Sequence, residues 1–95
     1  MSAYWVTAYR EITDNAKVEA YAKLSRPALE AAGGTFVARG FPELTYEAGQ
    51  PLRTVVIRFE SVEAARTAYE STAYQEALAA LGDGAVRDIR IVPGA

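Results

Sequence analysis

From Ala3 to Ile12 the chain is rich in β-branched and aromatic side chains, which predicts a first strand. Asp14 follows at a position suited to a helix N-cap. Apolar side chains then recur at Val18, Tyr21, Ala22, Leu29 and Ala32, with Ser25 and Ala28 on the same stripe, so a helix is expected over 15–32. Pro27 lies inside it, and a kink or restart is expected near Ser25, because proline lacks an amide hydrogen and crowds the preceding turn. Gly33-Gly34 closes the helix, one of the pair in the left-handed conformation. Thr35 to Gly40 predicts a second strand, Pro42 to Leu52 a long hairpin connection, and Arg53 to Phe59 a third strand. Ser61 is placed to cap a second helix with Glu63 in its first turn, and Ser71 to cap a short continuation from Thr72 to Leu81. Val86 to Val92 is the last strand, stopped by Pro93.

The order is strand, helix, strand, strand, helix, strand. With right-handed crossovers it gives an α+β, ferredoxin-like βαββαβ arrangement over residues 1–95: a four-stranded antiparallel sheet with both helices on one face. Strict alternation sorts the strands into two faces. Tyr4, Val6, Ala8, Ile12, Phe36, Ala38, Val55, Ile57, Phe59, Ile89 and Ile91 form an apolar set expected beneath the helices. Trp5, Thr7, Tyr9, Glu11, Thr35, Val37, Arg39, Thr54, Val56, Arg58, Val86, Asp88, Arg90 and Val92 form a mixed set on the open face. Exposed apolar area of that size marks an interface, while buried unpaired charge is costly. A half-wet cavity between the sheets of two copies satisfies both constraints, so a homodimer, a dimeric α/β barrel, is expected.

Composition narrows the chemistry. A chain of 95 residues has core enough for one domain, and a net charge of −2 argues against a nucleic-acid partner, which calls for a basic patch. No apolar stretch reaches the roughly 20 residues that span a bilayer, and the first residues enter a strand pattern at once; no membrane association is expected, and a cytoplasmic location is. The chain has no cysteine and no histidine, which removes disulfides, thiolate nucleophiles, thiolate or imidazole metal sites and any Ser-His triad. No carboxylate cluster stands out, so no metal and no cofactor are expected.

Several stretches resemble one family. Ala3-Tyr4-Trp5-Val6, the run Gly33-Gly34-Thr35-Phe36-Val37-Ala38-Arg39-Gly40, and Val55 to Ala65 are similar to the small proteins grouped as domain of unknown function 1330. Tyr69-Glu70-Ser71-Thr72-Ala73-Tyr74-Gln75 is similar to that family's second-helix motif. The resemblance implies a dimeric α/β barrel, two ferredoxin-like sheets face to face, without an assigned activity. It departs from the family pattern at Arg58, where an acidic residue is expected, and at Gly82-Asp83-Gly84.

Candidate ligand-binding residues on the mixed face are Trp5, Tyr9, Arg39, Arg58, Asp88 and Arg90. Arg39 offers a planar donor fork for an anion or a carbonyl, or else forms a structural ion pair with Glu11 or Asp88. Trp5, Tyr9 and Arg39 together are similar to the aromatic cavities of cofactor-free oxygenases and isomerases on related dimeric barrels; equally, Trp and Tyr fill interfaces without chemistry. Tyr69 and Tyr74 either line a pocket mouth or pack a kinked helix. Two functions follow. One is a dimer that binds a small organic ligand between its sheets. The other is a cofactor-independent, oxygenase- or isomerase-like enzyme acting on an aromatic or enolisable metabolite. An RNA-binding sheet is disfavoured, because Arg53 to Phe59 lacks the glycine and alternating aromatics of that motif.

Overall fold

The structure, a computed structural model, describes residues 2–95. Its elements run β1 (Ala3–Ile12), α1 (Asn15–Ala31), β2 (Thr35–Gly40), β3 (Thr54–Phe59), α2 (Val62–Glu70), α3 (Thr72–Leu81) and β4 (Ala85–Pro93). The sheet order is β2-β3-β1-β4 with every neighbouring pair antiparallel. This is the ferredoxin-like α+β arrangement, with the second helical segment divided into α2 and α3.

Local chemistry sets the boundaries. The Asp14 carboxylate accepts a hydrogen bond from the Lys17 amide at 3.2 Å, satisfying a donor that has no partner within the first turn of α1. The Ser61 hydroxyl accepts from the Ala64 amide at 3.0 Å at the start of α2. Ser71 works in both directions: its hydroxyl accepts from the Tyr74 amide at 3.2 Å and donates to the Ala68 carbonyl at 2.8 Å. That single extended residue (φ −65°, ψ 149°) ends α2 and starts α3. Gly33 takes φ +98°, which a side chain rarely tolerates, and its neighbour Gly34 is buried where a Cβ would meet Phe59 and Ile57 within 3 Å.

The expected interruption of α1 is absent: the helix is continuous through Pro27. Pro27 leaves the Lys23 carbonyl without its usual donor, but Lys23 is exposed and water can serve it. Meanwhile Val18, Tyr21, Ser25 and Leu29 are buried on one stripe spanning both sides of the proline. Packing of that stripe holds together what the local preference would break.

The larger correction concerns the faces. Ala3, Trp5, Thr7 and Tyr9 are the buried residues of β1, and they face the helices; Tyr4, Val6 and Ala8 lie on the open side. The register agrees, with Trp5 opposite Ile57 and Ile91, and Val6 opposite Val56 and Arg90. The cause is a β-bulge. Tyr9 pairs with Arg87 and Glu11 with Val86, so Arg10 is an extra residue and Ile12 returns to the core side out of step with Trp5. A second bulge lies in β2, where Phe36 pairs with Ile57 but Ala38 with Val56. Val37 is the extra residue, Ala38 moves to the open face, and Arg39 pairs with Val55 on the helix side. Thr7, expected in the open, is 3% exposed. Val55, Ile57, Phe59, Ile89 and Ile91 face the helices as the alternation predicts.

The core beneath the helices is aromatic. Trp5, Tyr74 and Phe59 are its largest fully buried side chains. Trp5 meets Tyr74 edge-on at 5.2 Å and Phe59 in a stack at 6.1 Å. Its indole N–H donates to the Thr7 hydroxyl at 2.8 Å, so the polar handle is satisfied within its own strand. Tyr69 packs on Trp5 at 5.6 Å, and Tyr21 and Tyr74 share a hydroxyl–hydroxyl hydrogen bond of 2.8 Å. Tyr69 and Tyr74 are thus part of the core packing.

Candidate functional site

Trp5, Tyr9 and Arg39 do come together, but under the helices and not on the open face. They line a narrow cavity of about 30 Å³ between the sheet and α1, whose wall also includes Tyr21, Ser25, Phe36 and Arg87. Space of that size holds a water molecule or two, or one small planar head group. Each side chain has a local reason for its place. The in-step pairing of β1 with β3 and β4 points Trp5 and Tyr9 inward, and the bulge at Val37 turns Arg39 to the same side. Ser25 is set there by the buried stripe of α1.

The cavity wall carries four arginines, Arg26, Arg39, Arg53 and Arg87, and no carboxylate. Arg26 is engaged: it lies over the Phe36 ring at 5.3 Å and pairs with Glu30 at 3.4 Å. The expected ion pair of Arg39 with Glu11 or Asp88 does not form. Asp88 lies on β4, at the opposite edge of the sheet from β2, and is held by Arg10 at 3.2 Å and Arg90 at 3.0 Å. Those contacts, Arg90 first, keep the Asp88 carboxyl below the usual carboxylate range. Among the described residues Arg39, Arg53 and Arg87 have no ion-pair partner.

Arg87 is the residue that sequence reasoning missed. It pairs with Tyr9 across β1 and β4, and its guanidinium lies over the Tyr21 ring at 4.5 Å and the Tyr9 ring at 5.6 Å. Its Nη1 is buried without a hydrogen-bond partner. The signal was available: Arg87 is in phase with Ile89 and Ile91, so alternation alone puts a guanidinium on the apolar face. A groove of about 380 Å³ lined by Tyr69, Leu78 and Ile89 reaches Arg87 from the β4 side.

Tyr9 and Tyr74 resist ionisation. Burial pushes Tyr9 up against the opposing pull of Arg87, and burial together with the Tyr21 phenol pushes Tyr74 up. With neither carboxylate nor imidazole in its wall, the cavity lacks the usual general bases. Arg58, Asp88 and Arg90 stand apart from this cavity, on the open face with Tyr4, Val6 and Val92. Among the described residues no three His, Cys, Asp or Glu side chains gather to hold a metal ion, and no helix is long and apolar enough to cross a membrane.

Comparison with known proteins gives the fold context. A protein of unknown function from Rhodopseudomonas palustris superposes with a TM-score of 0.77 at 19% identity, covering 99% of this chain and 82% of that one. SnoaB, a cofactor-independent oxygenase from Streptomyces nogalater, is similar at a TM-score of 0.68 and 15% identity, covering 99% of this chain and 93% of its own. A dimeric ferredoxin-like protein of unknown function from Thermobifida fusca matches at 0.68 and 20% identity, with 99% and 92% coverage. No curated protein matches the chain. Family comparison matches residues 2–95, and the chain belongs to the family described as Domain of unknown function (DUF1330).

Proposed function

We propose that this protein binds a small organic molecule in the cavity between sheet and α1, and does so as a homodimer joined through the open face of its sheet. The observation that carries the binding reading is the wall itself: Trp5 and Tyr9 supply a flat apolar surface, while Arg39, Arg53 and Arg87 supply cationic donors that no protein carboxylate occupies. Such a mixture, apolar walls with a few polar groups, is what small-molecule sites use. Binding is favoured over catalysis because nothing in the wall is poised as a general base. A reaction like that named for SnoaB would need a substrate acidic enough to give up its proton unaided.

The dimer is supported by the corrected open face. Tyr4, Val6, Ala38, Val56 and Val92 share it, and Val92 is 46% exposed. The isolated chain exposes 6,030 Å², against roughly 5,400 Å² for a compact monomer of this mass. Native mass spectrometry of the purified protein tests both parts: twice the chain mass, with a small organic molecule retained per chain. A bare monomer, with Trp5 emission unmoved by a panel of aromatic compounds, would overturn the reading.

A further inference from the structure

We propose that the ligand is an organic anion, carrying a carboxylate or enolate, and that Arg87 is the side chain that meets its charge. This rests on the reading of the cavity as a ligand site. Arg87 is flanked by the ring faces of Tyr9 and Tyr21, which position the guanidinium by cation–π contact. Its Nη1 is left buried and unpartnered. A buried donor without an acceptor is costly, and the half-buried guanidinium has no carboxylate counter-ion beside it. The protein sets no carboxylate against Arg87: the neighbouring one, Asp88, points to the other face and is taken by Arg10 and Arg90. An incoming anion would relieve both deficits at once.

Shape and charge narrow the class further. A guanidinium matches the planar, two-oxygen edge of a carboxylate, which a spherical ammonium would not distinguish. The free space of about 30 Å³ admits such a head group but not a whole metabolite. The head therefore enters first, and the remainder of the molecule stays outside this space. The other free cations of the wall, Arg39 and Arg53, favour the same sign of charge.

The test compares benzoate with its neutral isostere benzamide, titrated into the wild-type chain at neutral pH and fixed ionic strength. Emission of Trp5, the one tryptophan in the sequence and part of the cavity wall, is the readout. Benzoate is expected to bind about tenfold tighter or more, as a charge-assisted hydrogen bond would give. Arg87→Gln should remove that preference, so that benzoate and benzamide bind alike in the variant, and Arg39→Gln should keep most of it. Because the wild-type ratio needs no variant, the anion assignment stays testable even if Arg87→Gln fails to fold. Equal binding of the two compounds would overturn the anion assignment and leave the cavity reading intact. Binding of neither would remove the cavity reading as well. A preference for benzoate that survives Arg87→Gln, or that disappears in Arg39→Gln, would take the anchor away from Arg87.

Discussion

Replacing Thr7 by valine probes the assignment on which the site depends, the inward face of β1. Thr7 and Trp5 are both buried, and the Thr7 hydroxyl accepts the indole N–H at 2.8 Å. Thr7→Val preserves the shape of the side chain and deletes only the acceptor. A buried N–H without a partner costs about 1–3 kcal/mol. A methyl in place of the hydroxyl offsets up to about 0.8 kcal/mol. The net loss is about 1–2 kcal/mol, which for a domain of this length lowers the melting temperature by about 5–15 °C. In a Trp5→Phe background there is no N–H to strand, and the same Thr7→Val change should be neutral or slightly stabilising. The double-mutant coupling, about 1–3 kcal/mol, is read from urea unfolding followed by far-ultraviolet circular dichroism. An equal effect in both backgrounds would refute the hydrogen bond. No effect of Thr7→Val in either background would refute its burial beneath the helices.

Gly34→Ala should destabilise by about 1–3 kcal/mol through overpacking, since the new methyl would sit 2.8–2.9 Å from Phe59, Ile57 and the Leu29 carbonyl; an unchanged denaturation midpoint would show that the turn has slack. Ser71→Ala removes both bonds at the α2–α3 joint and should cost about 1–2 kcal/mol, with Ser71→Thr recovering most of it in the same melts. At alkaline pH the tyrosines set the trend. Tyr9 and Tyr74 have folded pKa values raised above the ordinary 10.0, so the stability linked to them is complete below pH 10.0. It should decline as pH rises further, because the unfolded chain releases phenol protons that the folded chain retains. A spectrophotometric titration in which all six tyrosines ionise together near their ordinary value, before unfolding, would contradict this.

Elements were readable because their signals are local. Asp14, Ser61 and Ser71 each carry the short oxygen side chain that a helix start requires, and each caps the helix expected of it. The span of β1 and the extent of α3 follow from β-branched density and helical spacing alone. The faces of β1 and of the end of β2 were not readable, because a bulge has no residue signature here. Arg10 and Val37 look like ordinary strand residues, and whether each is paired depends on the neighbouring strand. Strict alternation from Ile12 backward carries that one-residue slip through the whole of β1 and puts Trp5 on the wrong side. Trp5, Tyr9 and Arg39 stay together because β1 and the end of β2 are displaced in the same sense. Arg87 was overlooked because a guanidinium among isoleucines conflicts with a core reading; the rings of Tyr9 and Tyr21 resolve that conflict.

The bulge in β2 also bears on how the sheet meets other sheets. With the order β2-β3-β1-β4, the outermost backbone belongs to β2 on one side and β4 on the other. A flat outer strand with free amides and carbonyls is a template for stacking chain upon chain into fibrils. The extra residue at Val37 twists β2 away from flatness, and β4 ends in Pro93, which has no amide to offer. Growth by lateral strand addition is thereby blunted at both margins, whereas pairing through the broad side of the sheet, as in the proposed dimer, would close after two copies rather than extend without limit.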